Sequence, residues 1–409
     1  MEPPVSRSLA PLSQERIAAR GQSELAAGRE QTAPRLLGIW ASWRLQAYGY
    51  TLAAIYAALF VLFYRGGTWL VDREGVPIPN DYTVFLTEAR RALARNLVSG
   101  YPPTFYLMLV PFTLMPYLIA FIGFQAATLL GFAGVIYLIV RRPAAIALLL
   151  ASPFGALNIR WGQTGFIRAA LLGAGLMALE HRPVLAGVFF GCLTYKPQFG
   201  MLIPVALIAD GQWRAFASAA VTAIALVGIS LAVFGIGAWA ALPGTLFFWA
   251  DAVLHHGAVN GVAIPWAALQ TVYGIVRACH GTAVVAWLIQ GCVSAGTAVL
   301  VWLVWRSSAR YMLKAALLSA ATLIATPYAW GYDLTVIAIP IAFLAKDQIE
   351  RGVLRGEQTM LLVLFGMALA ILVRGGGPPF GPLMTMALIG LVLRRCYRDG
   401  AKAERALPV

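Results

Sequence analysis

The feature that most restricts this chain is a series of long apolar runs, many of them ending at Arg or Lys. Leu45 to Tyr64 is the first, 20 residues bracketed by Arg44 and Arg65, and it matches the roughly 20 residues a helix needs to cross about 30 Å of hydrocarbon. A helix satisfies its backbone N–H and C=O groups within one segment, as lipid requires. A second full run covers 117–140 and is closed by Arg141 and Arg142. Further runs lie at 143–157, 165–179, 183–195, 199–209, 214–237, 282–305, 311–326, 333–345, 358–373 and 381–393. With the first two they predict about twelve transmembrane helices, so the expected fold class is an all-α integral membrane protein, a polytopic helical bundle. Lys196 interrupts 183–209, which is read as two short helices meeting at that residue.

Charged residues form 12% of the chain, against about 25% in soluble domains. The formal charge of +14 does not indicate nucleic acid, because Lys and Arg fall between apolar runs and form no basic stripe interleaved with aromatics. With the N-terminus inside, about two thirds of the 31 Lys and Arg lie in cytoplasmic segments, as the positive-inside rule requires. Both termini of a multi-pass cell-membrane protein are therefore expected in the cytoplasm. Residues 1–44 mix Pro, Ser, Gln, Arg and Glu and read as a mostly disordered tail, 45–393 as the transmembrane domain and 394–409 as a cytoplasmic tail. Cys192, Cys279, Cys292 and Cys396 have no CxxC spacing, and His255 and His256 have no ligand partners at metal-binding intervals. No metal and no cofactor are expected.

After the first span, Tyr82, Phe85, Leu86, Ala89, Leu93 and Leu97 recur at helical spacing opposite Glu88, Arg90, Arg91 and Arg95. That pattern predicts an interfacial helix. Tyr101-Pro102-Pro103, Pro111 and Pro116 then break the next apolar stretch into a short re-entrant helix before the span at 117–140.

Under this topology four polar clusters meet at the outer face: Asp81; Asn158, Arg160 and Gln163; Lys196 and Gln198; and Tyr328, Trp330, Tyr332 and Asp333. Ionisable groups at membrane depth cost several kcal/mol, about 2.5 to more than 10, unless paired or hydrated. Lys196 and Arg160 suit an anionic headgroup, since both donate charge-assisted hydrogen bonds to phosphate. Asp81 is a carboxylate able to accept a proton. Each has a plainer reading: Asp81 as the N-cap of the following helix, Arg160 and Lys196 as snorkelling cations, and Tyr328 with Trp330 as part of an aromatic belt.

Five stretches taken together resemble glycosyltransferase family 87, the mannosyltransferase-like membrane enzymes of the GT-C superfamily. They are Asp81-Tyr82-Thr83-Val84-Phe85; Tyr101-Pro102-Pro103 with Pro111 and Pro116; Gly162-Gln163; Arg182-Pro183 through Lys196-Pro197-Gln198; and Thr326-Pro327-Tyr328-Ala329-Trp330. The resemblance implies a GT-C fold and an active site facing the periplasm or exterior. It further implies a hexosyltransferase that moves a hexose, mannose by analogy, from a polyprenyl-phosphate donor to a lipid or glycan acceptor. Asp81 is then the catalytic residue, and Tyr82, Arg160, Gln163, Lys196, Gln198, Tyr328, Trp330, Tyr332 and Asp333 are the expected substrate-binding residues. A transporter or flippase for a lipid-linked sugar is the rival reading. It predicts inverted repeats and broken helices near the midplane, whereas no internal repeat is evident and the polar clusters share one face.

Overall fold

A computed structural model describes residues 43–405 apart from 97–99, 143–144, 147–148, 150–151, 260–261, 264 and 374–378. The expected N-terminal tail lies almost wholly outside the described residues, as does the centre of the 95–101 loop. What is described is overwhelmingly helical, with one small antiparallel hairpin pairing Ala258–Val259 with Val262–Ala263.

Among the described residues five helices are long and apolar enough to cross a membrane: Gln46–Arg65, Tyr117–Val140, Trp213–Phe234, Ile236–His256 and Ala283–Arg306. Four of them coincide with expected runs. The fifth was not anticipated, because Pro243, Asp251, His255 and His256 interrupt its apolar pattern. Most other expected runs form helices of 10–17 residues, and at 1.5 Å per residue even the longest falls short of a full crossing. Of the expected twelve, helices of sufficient length and hydropathy number five among the described residues, counting Ile236–His256.

In chain order the elements that position the site are α1 (Trp43–Arg65), α2 (Asp81–Leu93), α3 (Pro103–Leu109), α4 (Tyr117–Val140), α5 (Pro153–Trp161), α6 (Gly165–Leu179), α7 (Pro183–Cys192), α8 (Ile203–Ala209), α9 (Trp213–Phe234) and α10 (Ile236–Ala250). They continue as α11 (Val272–Ala278), α12 (Ala283–Arg306), α13 (Tyr311–Ala325), α14 (Ala338–Arg351), α15 (Glu357–Val373) and α16 (Gly381–Arg405). Helix α13 is the axis of the bundle: Leu313 and every residue from Ala315 to Ala325 are buried, as a helix apolar on all sides should be. Helices α12, α14 and α16 pack around it. Helix α7 lies against α9 through Gly187 and Gly191, where an added Cβ would stand 2.4 Å from the Ala215 carbonyl and 2.6 Å from the Thr222 Cβ. This small-residue spacing of four brings two membrane helices into backbone contact.

The end of the bundle at the start of α13 is closed by charge. Arg395 of α16 donates to both Glu357 oxygens at 2.7 and 2.6 Å and to Asp347 at 2.5 Å, and Arg310 pairs with Asp347 and Asp399. Arg395, Asp347 and Glu357 are at most 2% exposed. Removing one member of a buried ion cluster leaves its partners desolvated and uncompensated. Arg395→Met is expected to cost about 3–5 kcal/mol, read as a lowered unfolding temperature in detergent. Arg394→Met, one residue away on the exposed face, is expected to stay within about 0.5 kcal/mol of the parent.

Candidate active site

The opposite end of α13, about 22 Å away by helical rise, opens into a cavity of about 630 Å³. Its wall is assembled from the start of α2, the 100–102 segment, the α5–α6 turn, the turn between α7 and α8, the end of α10 and the 326–332 segment. Aromatic side chains dominate it, among them Tyr101, Trp161, Tyr195, Tyr328, Trp330 and Tyr332. Among the described lining residues Lys196 is the one cation, and Asp81 and Glu88 are the carboxylates.

Asp81 reaches this wall because another residue caps its helix. Asn80 accepts from the Thr83 backbone N–H at 3.0 Å, and Thr83 Oγ1 accepts from the Asn80 N–H at 3.0 Å, a complete capping box. The N-cap reading of Asp81 is thereby corrected: Asp81 opens the first turn and its carboxylate is left for the cavity. There it accepts a hydrogen bond of 2.7 Å from the Gln163 side-chain amide. Gln163 is itself fixed by its neighbours, since its carbonyl accepts from Gln125 at 3.1 Å, Gln125 accepts from Asn158 at 3.1 Å, and Asn158 accepts from the Gly165 N–H at 2.6 Å. Burial raises the Asp81 pKa above the usual carboxylate range, although Gln163 and the Lys196 charge pull the other way.

Lys196 sits where two short 3-10 turns, Leu193–Tyr195 and Pro197–Phe199, join α7 to α8. Pro197 disfavours helical geometry at the preceding residue, and Lys196 is non-helical at φ −137° and ψ 74°, so the chain breaks there as expected. Its ammonium lies 5.3 Å from the Tyr101 ring centre, 5.6 Å from that of Tyr332, and 3.3 Å from Asp333 Oδ1. Burial and the nearby Arg168 guanidinium lower its pKa to about 8, with Asp333 and Asp81 opposing.

Of the expected catalytic and substrate-binding residues, Asp81, Gln163, Lys196, Gln198, Tyr328, Trp330 and Tyr332 line this one cavity. Three do not. Tyr82 is fully buried, donates to the Ala120 carbonyl at 2.8 Å and packs on Phe121 and Phe124. Arg160 is exposed beside Phe63 and Trp161. Asp333 is 1% exposed behind the wall, where Oδ1 meets Arg168 and Lys196 and Oδ2 accepts from the Trp330 N–H at 2.9 Å. The last bond starts the 3-10 helix Gly331–Ile337 and holds Trp330 and Tyr332 in place.

Sequence reasoning did not single out Arg168, fully buried on α6, nor place Glu88 and Tyr101 on a wall shared with Asp81. A lone Arg inside the apolar run 165–179 was the available signal.

The arrangement presents a carboxylate and an ammonium to a shared aromatic chamber that opens at one end of a membrane bundle. Such a chamber accommodates a polar, ring-shaped ligand with an anionic group. The sequence profile of glycosyltransferase family 87 matches residues 100–327, a stretch that includes Tyr101, Gln163, Lys196 and Gln198 and leaves Asp81 before it and Trp330 to Asp333 after it. No curated protein and no solved structure matches the chain.

Gly162 seats Asp81. It has φ +67°, and a Cβ there would lie 2.5 Å from the Tyr82 Cβ and 2.9 Å from the Phe121 ring. Gly162→Ala is expected to lose about 1–2 kcal/mol to the left-handed backbone and about 1–3 more to overpacking. The measurement is the unfolding temperature in detergent, together with protease sensitivity of the loop before Asp81.

Proposed function

The chain belongs to glycosyltransferase family 87, a family of membrane glycosyltransferases, and from that premise we propose that it transfers a hexose, mannose by analogy, from a polyprenyl-phosphate donor to a hydroxyl of a lipid or glycan acceptor on the outer side of the cell membrane. The observation that carries this reading is the convergence of Asp81 and Lys196 on one aromatic cavity from positions 115 residues apart in sequence.

In the proposed reaction Asp81 takes the proton of the acceptor hydroxyl while that oxygen attacks the anomeric carbon. The bond between this carbon and the phosphate oxygen breaks, and its electron pair leaves with the phosphate. A single displacement of this kind inverts configuration at the anomeric carbon. Phosphate is a competent leaving group, so one carboxylate suffices, unlike the acid and base pair of glycoside hydrolysis. Lys196 offsets the charge on the departing phosphate, and Gln198 is close enough in sequence to add a donor from the same turn. Trp330 and Tyr332 offer faces for the sugar ring, while the prenyl tail remains among the helices.

Asp81 is held by an amide rather than by a cation, which preserves its basicity. Its raised pKa means that the carboxylate form is lost as pH falls through a value above the ordinary carboxylate range. The ammonium of Lys196 is lost as pH rises through about 8. Turnover is therefore expected to follow a bell, with its alkaline limb near 8. Lys196→Arg removes that limb.

Purified protein given radiolabelled polyprenyl-phosphate mannose and a membrane-lipid extract is expected to yield a labelled glycolipid without any gradient. Asp81→Asn is expected to lower turnover about 10²- to 10⁴-fold, and Lys196→Met about 10²- to 10³-fold, with both proteins still monodisperse in detergent. Near-normal turnover in Asp81→Asn sinks the catalytic assignment. Transport of intact donor across vesicles without a new product would favour a flippase.

A further inference from the structure

Lys196 and Arg168 share a single carboxylate, and they share it unequally. Arg168 makes a close charge-assisted bond to Asp333 Oδ1, donates to Thr164 Oγ1 at 3.2 Å and lies over the Phe199 ring, 4.2 Å from its centre. It is fully buried and does not reach the cavity lining. Lys196 meets the same oxygen at 3.3 Å, beyond the usual length of such a bond, and it does line the cavity. Asp333 Oδ2 is already committed to the Trp330 N–H.

We infer that Arg168 and Asp333 are positioning residues for Lys196: Arg168 neutralises Asp333 permanently, so Lys196 is parked beside the carboxylate and released to an incoming phosphate. The inference rests on the phosphate-binding reading of Lys196 given above.

The physical case is one of charge balance. A buried carboxylate facing one lysine alone would hold that lysine tightly, because separating them strands an unpaired charge in a desolvated site. With Arg168 in place, withdrawal of Lys196 leaves Asp333 still paired. The reverse arrangement also fails: Lys196 without a counter-ion would lose its proton to burial. Two cations on one carboxylate leave the Lys196 charge directed at the cavity, where Asp81 and an incoming lipid phosphate are the anions that face it. Asp333 is thus no sugar ligand, since its oxygens point at Arg168, Lys196 and a backbone N–H.

The two positioning residues predict opposite pH effects. The charged and titratable groups around Lys196 are Arg168 from α6, Asp333 and Tyr332 from the 331–337 helix, Asp81 and Glu88 from α2, and Tyr101. Removing the Asp333 charge leaves Lys196 facing Arg168 without its nearest counter-ion, with Asp81 as the remaining opposing charge, so its proton is lost at lower pH. Removing Arg168 frees Asp333 to hold Lys196, so the proton is kept to higher pH and the lysine is retained against the phosphate.

The test is binding of undecaprenyl phosphate and turnover, each measured across pH in membrane vesicles and in detergent. Asp333→Asn is expected to move the alkaline limb down by about one pH unit or more. Arg168→Gln is expected to move it up by a similar amount and to raise KM at neutral pH by about tenfold, with a smaller change in kcat. Arg168→Lys keeps the charge and is expected to keep the parental limb. Shifts of both variants in their stated directions support the inference, and where only one of the two folds, its shift decides. An unmoved limb in folded Asp333→Asn or Arg168→Gln, or shifts of both in one direction, overturns it, as does a limb in Arg168→Lys displaced as far as in Asp333→Asn. Lys196→Met separates the two claims. If it still binds undecaprenyl phosphate normally, the reading of Lys196 itself is lost; if it does not, and the limbs stay fixed, only the positioning role is.

Discussion

The buried contact of Asp333 with Arg168 and Lys196 is the interaction on which the cavity depends. It joins α6, the turn between α7 and α8, and the 331–337 helix, three segments that hydrophobic packing alone would leave free to slide. Apolar contacts among membrane helices are weakly directional, because lipid tails offer nearly the same environment as Leu and Ile side chains. An ion cluster removed from water is directional and costly to break, so it fixes register where dispersion cannot. The same carboxylate caps the 3-10 helix through Trp330, which transmits that register to Trp330 and Tyr332 on the cavity wall.

The bundle uses this device at both ends, to different effect. Around Arg395 the cations and carboxylates saturate one another, with both Glu357 oxygens held along one edge of the guanidinium and Asp347 shared with Arg310. That end is sealed. At the other end two cations converge on Asp333 while Asp81 stands apart, held by Gln163. That end keeps a cavity and exposes charge to it. Helix α13 separates the two ends and carries buried apolar residues along its length, so the closed cluster supplies rigidity to a helix whose far end leads directly into Thr326, Pro327 and Tyr328 on the wall.

Much of this was legible in the sequence, and the remainder was hidden for definite reasons. Hydropathy and bounding charges located α1, α4, α9 and α12 within a few residues, because each carries an apolar run of 20 residues or more, whereas the same composition over shorter runs builds helices too short to cross. The convergence of Asp81, Gln163, Lys196, Gln198 and the 328–332 aromatics was legible through topology, since each lay at the same expected end of its helix. Tyr82 and Arg160 were grouped with neighbours that do face the cavity, but adjacent helical residues diverge by about 100°, so Asp81 and Tyr82 look in different directions. Arg168 was absorbed into an apolar run, where an averaging window hides a single charge. Its partner Asp333 lies 165 residues away, and no local pattern links them. The helix Ile236–His256 was missed because Pro243 and a polar last turn lower its apparent hydropathy.

The two aspartates near the cavity illustrate how one chain can assign different chemistry to one residue type. Asp333 faces two cations and a backbone N–H, an environment that favours the ionised form and makes it a poor proton acceptor. Asp81 is half-buried against an amide, which orients the carboxylate while adding no full positive charge. Environments that push the acidities of similar groups apart commonly mark an acid–base division of labour. In the proposed transfer the division is between a carboxylate that moves a proton and one that never does. The arrangement also accounts for Gln163 at a position where an arginine would bind Asp81 more strongly: a guanidinium there would depress the carboxylate's pKa and remove the basicity the reaction needs, and it would compete with Lys196 for the phosphate. The neutral donor at 163 and the cation at 168 are therefore linked choices, and exchanging them would silence Asp81 and strand Asp333.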